Sequence, residues 1–274
     1  MADTIAFVLR TPELFEVINR YSPGKPRALI APLKAWERSR HMDHVTFLRN
    51  LEATSEGTPY LRLLWRFDSS QFTSTLMDAA ARIGAAEALR FFHEMGITCT
   101  VEAMNSAACW GHLDVIKFLT QHDSAGCTTD AMDYASLWGR LEIVEYLHKH
   151  RSEGCTTRAL DWAAGRNHFS VVQFLHENRA EGCTYRAMNI AAANGHLEMV
   201  RWLHENRSEG CTAEAIDRAA LGGHMDVVKF LTENRSEGFT RYAIPQAESA
   251  GFTEIVEYLK AVNAAKEAKA AAIA

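Results

Sequence analysis

The chain has 274 residues, of which 47% are hydrophobic and 23% are charged, a balance typical of a folded protein rather than a disordered one. Its formal net charge is −5, and residues 71–274 carry the excess, with 26 Asp or Glu against 19 Lys or Arg. This acidic part argues against nucleic-acid binding. No apolar run approaches the ~20 residues that span a bilayer, and no secretory signal is visible, so the sequence predicts a cytoplasmic protein, with the nucleus as the alternative.

Residues 1–71 lack the periodicity of the rest of the chain, and Pro23, Gly24 and Pro26 divide them into short helical candidates. The segment TPELFEVINRYSPGKPRALIAPLKAW resembles an F-box, although it is shorter than the family pattern and has Pro32 where a helix should continue. The resemblance implies adaptor binding in a ubiquitin ligase. The alternative is that this helical segment caps the first repeat. The positions that match the F-box pattern are Pro12, Glu13, Leu14, Phe15, Ile18, Leu29, Leu33 and Trp36.

A strict 28-residue period begins at Cys99 and continues through Cys127, Cys155, Cys183 and Cys211, with Phe239 in the next position. A looser copy precedes these repeats and another follows them. The seven repeats are 72–98, 99–126, 127–154, 155–182, 183–210, 211–238 and 239–266.

Each repeat is predicted to form two short helices. In the fifth repeat, Thr184 can cap the first helix with its hydroxyl group. The same position of every repeat holds Gly, as in Gly195, or Asn, as in Asn167, which indicates a left-handed turn residue that ends the first helix. The two predicted apolar stripes contain Ala187, Met188, Ala191 and Ala192, and then Met199, Val200, Trp202 and Leu203.

One helix pair cannot bury its apolar face alone, whereas stacked copies can. The sequence therefore predicts an all-α solenoid of seven helix-turn-helix repeats behind a helical N-terminal segment. Small Ala residues suit close approach of the first helices, and larger residues fill the layer behind. Pro245 is expected to interrupt its helix, and the Ala-rich residues 267–274 are expected to lengthen the last helix.

The segment AAANGHLEMVRWL, from Ala191 to Leu203, resembles the middle of an ankyrin repeat, A-A-x-x-G-H-x-x-V-V-x-L-L. The resemblance recurs in phase and implies a protein-binding scaffold. Two features depart from the family. The period is shorter than the ~33 residues of ankyrin repeats, and triplets such as 131–133 replace the T-P-L-H entry, so the β-hairpin fingers should be shortened or absent. Short repeats with G-C-T and H-E-N-R-S-E-G connectors resemble those of a large ankyrin-like group in oomycetes.

Periodic Cys, Asp and His residues are interpreted as structural. Neighbouring repeats lie about 8–10 Å apart, too far for a disulfide bond and too dispersed for one metal ion. The alternation of Asp with Asn at one position, as in Asp161 and Asn189, fits a hydrogen-bond acceptor near a helix start and not a general base. Arg and Glu of the connectors, such as Arg207 and Glu209, are expected to form exposed ion pairs of little individual value. No nucleotide-binding loop or nucleophile elbow is present, so the sequence predicts a protein that is not an enzyme and needs no cofactor or metal.

The positions immediately before the turn residue vary most among repeats, and in ankyrin proteins they face the concave groove. The resemblance therefore implies that this surface binds a protein partner. Alternatively, the Trp rings fold down and seal the solenoid. Tyr185, at a helix entrance, is a further candidate. The candidate partner-binding residues before the turn are Ile83, Trp110, Leu137, Trp138, Arg166 and Asn194.

Overall fold

The computed structural model describes residues 72–122 and 125–273, together with Leu48, Leu61, Arg62, Trp65 and Ser69 from the preceding segment. From residue 72 onward, the described residues form 14 α-helices and no β-strand. The predicted all-α fold without hairpin fingers is therefore confirmed for this part of the chain. The chain divides into two compact units, Met1–Cys127 and Thr128–Ala274.

The first compact unit contains the first two repeats, and each repeat is a pair of helices joined by a tight turn. Among the preceding residues, Trp65 meets the ring of Phe72 edge to face at 5.2 Å, and Arg62 pairs with Glu94 at 2.9 Å. These two contacts join the described residues of the preceding segment to the first repeat. The helices are α1 (Ser74–Ile83), α2 (Ala86–Glu94), α3 (Val101–Trp110) and α4 (Leu113–His122).

The second compact unit contains the other five repeats. Its last helix continues through the Ala-rich tail, as the sequence predicts, whereas Pro245 lies in the first turn of a short helix and does not interrupt it. The helices are α5 (Thr129–Leu137), α6 (Leu141–His150), α7 (Thr157–Gly165), α8 (Phe169–Asn178), α9 (Tyr185–Ala193), α10 (Leu197–Asn206), α11 (Glu214–Leu221), α12 (Met225–Asn234), α13 (Ala243–Ser249) and α14 (Thr253–Ile273).

Within each compact unit, the first helices of successive repeats pack directly against one another, and the second helices form the layer behind them. The predicted apolar stripe of α9 is completely buried. In α10 the stripe is buried except for Trp202, which is half-buried and meets the His176 ring edge to face at 5.1 Å. Small Ala side chains on the first helices allow this close packing.

The turn between the two helices has the predicted left-handed residue. Asn167 has φ 62° and Gly139 has φ 67°, and the other turn glycines also have positive φ. A second constraint acts at Gly139, since a Cβ there would lie 2.5 Å from Nδ1 of His168 in the next repeat. Glycine is therefore required by the backbone conformation and by the neighbouring ring.

The recurring Asp or Asn of the first helices bonds to the following repeat in five places. Both the N–H and the hydroxyl group of Thr184 donate to the carboxylate of Asp161 at 2.7 Å, and the Thr184 hydroxyl accepts from Arg186 N–H at the start of α9. The predicted acceptor role is confirmed, but the donors belong to the next repeat and not to the same helix turn. Equivalent bonds join Asp78 to Thr100, Asp133 to Thr156, Asn189 to Thr212 and Asp217 to Thr240.

The connectors also stack on one another through a partly buried ion pair. Arg207 pairs with Glu209, and a Glu209 oxygen accepts from the N–H of Cys183 in the preceding connector at 3.4 Å. Four such pairs have side chains only 21–26% exposed, so the prediction of exposed pairs is wrong. In three of these pairs the guanidinium group lies over the connector glycine of the previous repeat: a Cβ on Gly182 would lie 2.7 Å from Nη2 of Arg207.

The bond between Asp161 and Thr184 gives a test of the contact between repeats. We expect Asp161→Ala to lower the free energy of unfolding by about 1–3 kcal/mol, because the partly buried Thr184 N–H loses its acceptor. Asp161→Asn should cost less than about 1 kcal/mol, since Asn189 accepts from Thr212 N–H at 3.0 Å in the equivalent place. Urea unfolding followed by circular dichroism measures both values. Equal losses in the two variants would contradict this account.

The connector pair gives a pH-dependent test. Burial opposes ionisation of Glu209, but hydrogen bonds from Arg207 and from two backbone N–H groups outweigh it and lower the pKa of Glu209 to about 2. Because the folded-state pKa is below the unfolded value near 4.5, the stabilisation is complete above that value and is lost as pH falls towards about 2. We expect Glu209→Gln to cost about 1–3 kcal/mol at pH 7, and urea unfolding should show a smaller deficit at pH 3.5.

The matched control is Glu214→Gln, which removes a carboxylate paired with Arg218 on the surface of one helix, where both side chains are 53% exposed. We expect this change to cost no more than about 0.5 kcal/mol. A Glu209→Gln deficit no larger than that of the control would show that burial of the connector pair adds no stability.

Candidate functional site

The candidate residues lie on the first helices of the repeats, near the C-terminal ends of these helices. Trp110 ends α3 and Trp138 directly follows α5, and the two side chains are 53% and 48% exposed. Neither ring is folded down into the protein interior. A glycine with positive φ follows each Trp and ends the helix there.

In the first compact unit, the exposed Trp110 ring has a cationic neighbour. The Arg82 guanidinium carbon lies 5.7 Å from the centre of the Trp110 ring, and the carbonyl of Arg82 is bonded to His112 Nε2 at 3.1 Å. Ile83, the last residue of α1, is half-buried. An aromatic ring with a guanidinium group over it and an aliphatic side chain from the same turn thus forms a small amphipathic surface.

In the second compact unit, α5 and α7 face each other through three pairs of side chains. Arg158 forms an ion pair with Asp130, the Tyr134 and Trp162 rings stack with centres 5.9 Å apart and planes 14° apart, and Arg166 lies 5.6 Å above the Trp138 ring. Successive pairs are four residues apart on each helix, which places them one above another on one helix face. We call these six residues, Asp130, Tyr134, Trp138, Arg158, Trp162 and Arg166, the Trp138 ladder.

The next helix, α9, continues the surface with different chemistry. Ile190 packs so closely on Gly165 that a Cβ there would lie 2.5 Å from Ile190 Cγ2. Asn194 donates from Nδ2 to the Gly165 carbonyl at 2.8 Å, so part of its hydrogen-bonding capacity serves the contact between repeats. Tyr185 is 44% exposed but begins α9, about 13 Å along the helix axis from Asn194, and lies away from the other candidate residues of this repeat.

A histidine of the next repeat bonds to the backbone beside Trp138. His168 bonds through Nε2 to the carbonyl of the half-buried Leu137 at 3.1 Å. Burial lowers the pKa of His168, and the nearby positive charges of Arg166 and Arg140 lower it further. The imidazole is therefore neutral at physiological pH and lies in a positive local potential.

Sequence reasoning identified Trp138 and Arg166 but missed the other members of the Trp138 ladder. The missed residues vary between repeats just as the identified ones do, and they precede the identified position by four and eight residues. Helical periodicity places all three positions on one face, so this signal was present in the sequence. The F-box-like positions Pro12, Leu14, Phe15, Ile18 and Trp36 lie outside the residues that the structure describes.

The periodic cysteines are held as thiols. Burial, followed by the nearby charge of Glu181, raises the pKa of Cys155 to about 12, and burial likewise raises the pKa of Cys183 to about 12. A thiol of this kind is a poor nucleophile at neutral pH. Within the described ranges, no group of three or more His, Cys, Asp or Glu side chains is arranged to hold a metal ion, and no helix is long and apolar enough to cross a membrane.

Stacked helix pairs with left-handed turns, small residues between the first helices and variable residues on their outer face define a helical-repeat protein. Comparison with family models agrees with this class. The model described as ankyrin repeats (3 copies) matches residues 76–159, and the model described as ankyrin repeats (many copies) matches residues 160–204 and 190–232.

The matched residues together make up more than half of the chain, and the chain belongs to the ankyrin-repeat family. A search of curated proteins gave no match. Ankyrin repeats are interaction modules that bind other proteins and are generally non-catalytic.

Proposed function

We propose that this chain is a non-catalytic scaffold that binds a partner protein or peptide on the face formed by the first helices of its repeats. The observation that supports this best is the exposure of Trp110 and Trp138 at the same repeat position. Scattered apolar residues are common on protein surfaces, but Trp is enriched among residues that dominate binding energy. In both places an Arg side chain lies over the ring, which orients it for contact.

The proposed contact set divides by chemistry. Trp110 and Ile83 supply apolar area in the first compact unit. In the second, Trp138 and Leu137 supply apolar area and Arg166 supplies charge. Asn194 and Tyr185 add polar contacts on α9, and the free carbonyl oxygen of Asn194 is the one available to a partner, since its amide group is bonded to Gly165. The binding takes place in the cytoplasm, with the nucleus as the alternative compartment.

A second function rests on the sequence of residues 11–36 alone. If this F-box-like segment binds the adaptor subunit of a ubiquitin ligase, the repeats select the protein to be modified. Co-purification of the full chain with that adaptor, compared between the native chain and Leu14→Ala plus Ile18→Ala, tests this function. Loss of the adaptor in the variant supports it. Absence of adaptor binding by the native chain leaves the capping role for this segment.

The scaffold function predicts that Trp138→Ala removes the partner without unfolding the chain. Because the ring is about half exposed, the melting temperature should fall by only a few degrees, while recovery of the partner in affinity capture should fall by about tenfold or more. Trp110→Ala tests the first compact unit in the same way.

The control is Glu145→Ala, an exposed residue on the second helix α6. Quantitative mass spectrometry of the captured proteins should give the same partner list for this variant as for the native chain. An unchanged list for Trp110→Ala plus Trp138→Ala in a folded protein would contradict the proposed surface.

A further inference from the structure

The proposed binding surface leaves open what kind of partner it fits. We infer that the Trp138 ladder, together with Arg140, binds an acidic segment of the partner protein. Arg140 and Arg166 hold its carboxylate groups, and Trp138 contacts an apolar side chain beside them. This inference rests on the scaffold function and adds the chemistry of the partner.

The exposed arginines of the first-helix side of the repeats differ in whether they form an ion pair. Arg158 pairs with Asp130 and Arg218 pairs with Glu214, so these charges are neutralised within the protein. Arg140 and Arg166 are exposed, and neither forms an ion pair with any residue in the described ranges. Within the part of the chain that the structure describes, the Arg166 guanidinium group contacts the Trp138 ring. Their charges are therefore available to a ligand.

The two guanidinium groups act on the same place. Gly139 lies beneath the His168 ring, Arg140 is the next residue, and both Arg140 and Arg166 are near enough to His168 to lower the pKa of its imidazole. Both of the charged side chains that shift the pKa of His168 are cationic. The surface around Trp138 is thus locally positive, although the chain as a whole has a net charge of −5.

The charge of the second helices is opposite. On α6, α8, α10 and α12, seven exposed side chains are acidic and three are basic. On α5, α7, α9 and α11 the aspartates that bond to the next repeat are buried, and Arg side chains predominate among the exposed charges. An acidic ligand is therefore attracted to the first-helix face and repelled from the opposite one.

The geometry favours a carboxylate beside an apolar group. A guanidinium group binds a carboxylate through two parallel N–H donors, and its planar face can stay stacked on an aromatic ring at the same time. The Trp138 ring is 48% exposed, so about half of its surface remains for an apolar side chain of the ligand. A protein segment supplies both groups within a few residues. A polyphosphate supplies only the charge and has no apolar group to contact the exposed half of the Trp138 ring.

The test uses peptides displayed on phage. A library of random 12-residue peptides is selected on the immobilised full chain, and peptides that also bind a Trp138→Ala chain are removed. We expect the selected peptides to be enriched in Asp and Glu next to Phe, Trp, Leu or Ile. Selected peptides of neutral or basic composition would overturn the acidic inference while leaving the scaffold function in place. No enrichment at all would count against both.

The second step measures affinity. A fluorescein-labelled selected peptide is titrated with the native chain and with Arg140→Gln plus Arg166→Gln, and binding is followed by anisotropy at two salt concentrations. We expect about tenfold weaker binding to the variant, and weaker binding of the native chain at higher salt. The matched control, Lys149→Gln plus Lys229→Gln, removes two positive charges from the second helices and should change the affinity less than about twofold.

Two further measurements complete the test. One distinguishes loss of charge from loss of folding, and the other distinguishes a peptide ligand from a nucleic-acid ligand. If the double variant unfolds, Arg140→Gln alone replaces it, because this change leaves the Arg166–Trp138 contact intact. We expect Arg140→Gln to weaken peptide binding by a smaller factor than the one expected for the double variant. A labelled 12-nucleotide oligothymidine should bind more weakly than the peptide. Tighter binding of the oligonucleotide, lost in the double Arg variant, would overturn the inference by showing a phosphate site. Equal affinities of the Arg and Lys variants would overturn it as well.

Discussion

The contact on which the stack depends is the hydrogen-bonded link from the Asp or Asn of one repeat to the Thr that starts the next. A buried carboxylate is costly unless donors surround it, and here the donors come from the neighbouring repeat. The same Thr hydroxyl caps the following helix, so formation of one helix and its attachment to the previous repeat are coupled. The coupling explains how pairs of helices of about ten residues, too short to be stable alone, persist in the folded chain.

The turn and the connector repeat this principle on either side of the helices. At the turn, the imidazole of one repeat lies against the glycine of the previous repeat and bonds to a carbonyl group there. At the connector, a guanidinium group covers the previous glycine, and its carboxylate partner accepts from a backbone N–H. In all three places a glycine or a hydrogen-bonding group of one repeat has its contact partner in the next repeat. The outer face of the first helices takes no part in these bonds and is free to differ from repeat to repeat.

Much of the fold could be predicted because the signals are local. The period, the capping Thr, the turn Gly or Asn and the apolar stripes each depend on residues a few positions apart, and the structure agrees with all of them apart from the half-buried Trp202. Partners between repeats depend on how far one helix pair is shifted against the next, which spacing alone does not give. The burial of Arg207 and Glu209, and the donors of Asp161, were therefore beyond sequence reasoning. At the surface, one variable position was recognised, but the two that precede it by four and eight residues were not.

The nearly identical stretches HENRAEG (176–182) and HENRSEG (204–210) have a consequence for how such a chain can change its length. Each contains the Arg, Glu and Gly that the contact between two neighbouring connectors needs, and the Cys-Thr pair that follows supplies the remaining groups of that contact. Genetic recombination between two such stretches would add or delete 28 residues, and every remaining contact between connectors would keep all of its side chains. Growth and shortening of the array then cost little in folding, while each event changes the order of side chains offered to a ligand.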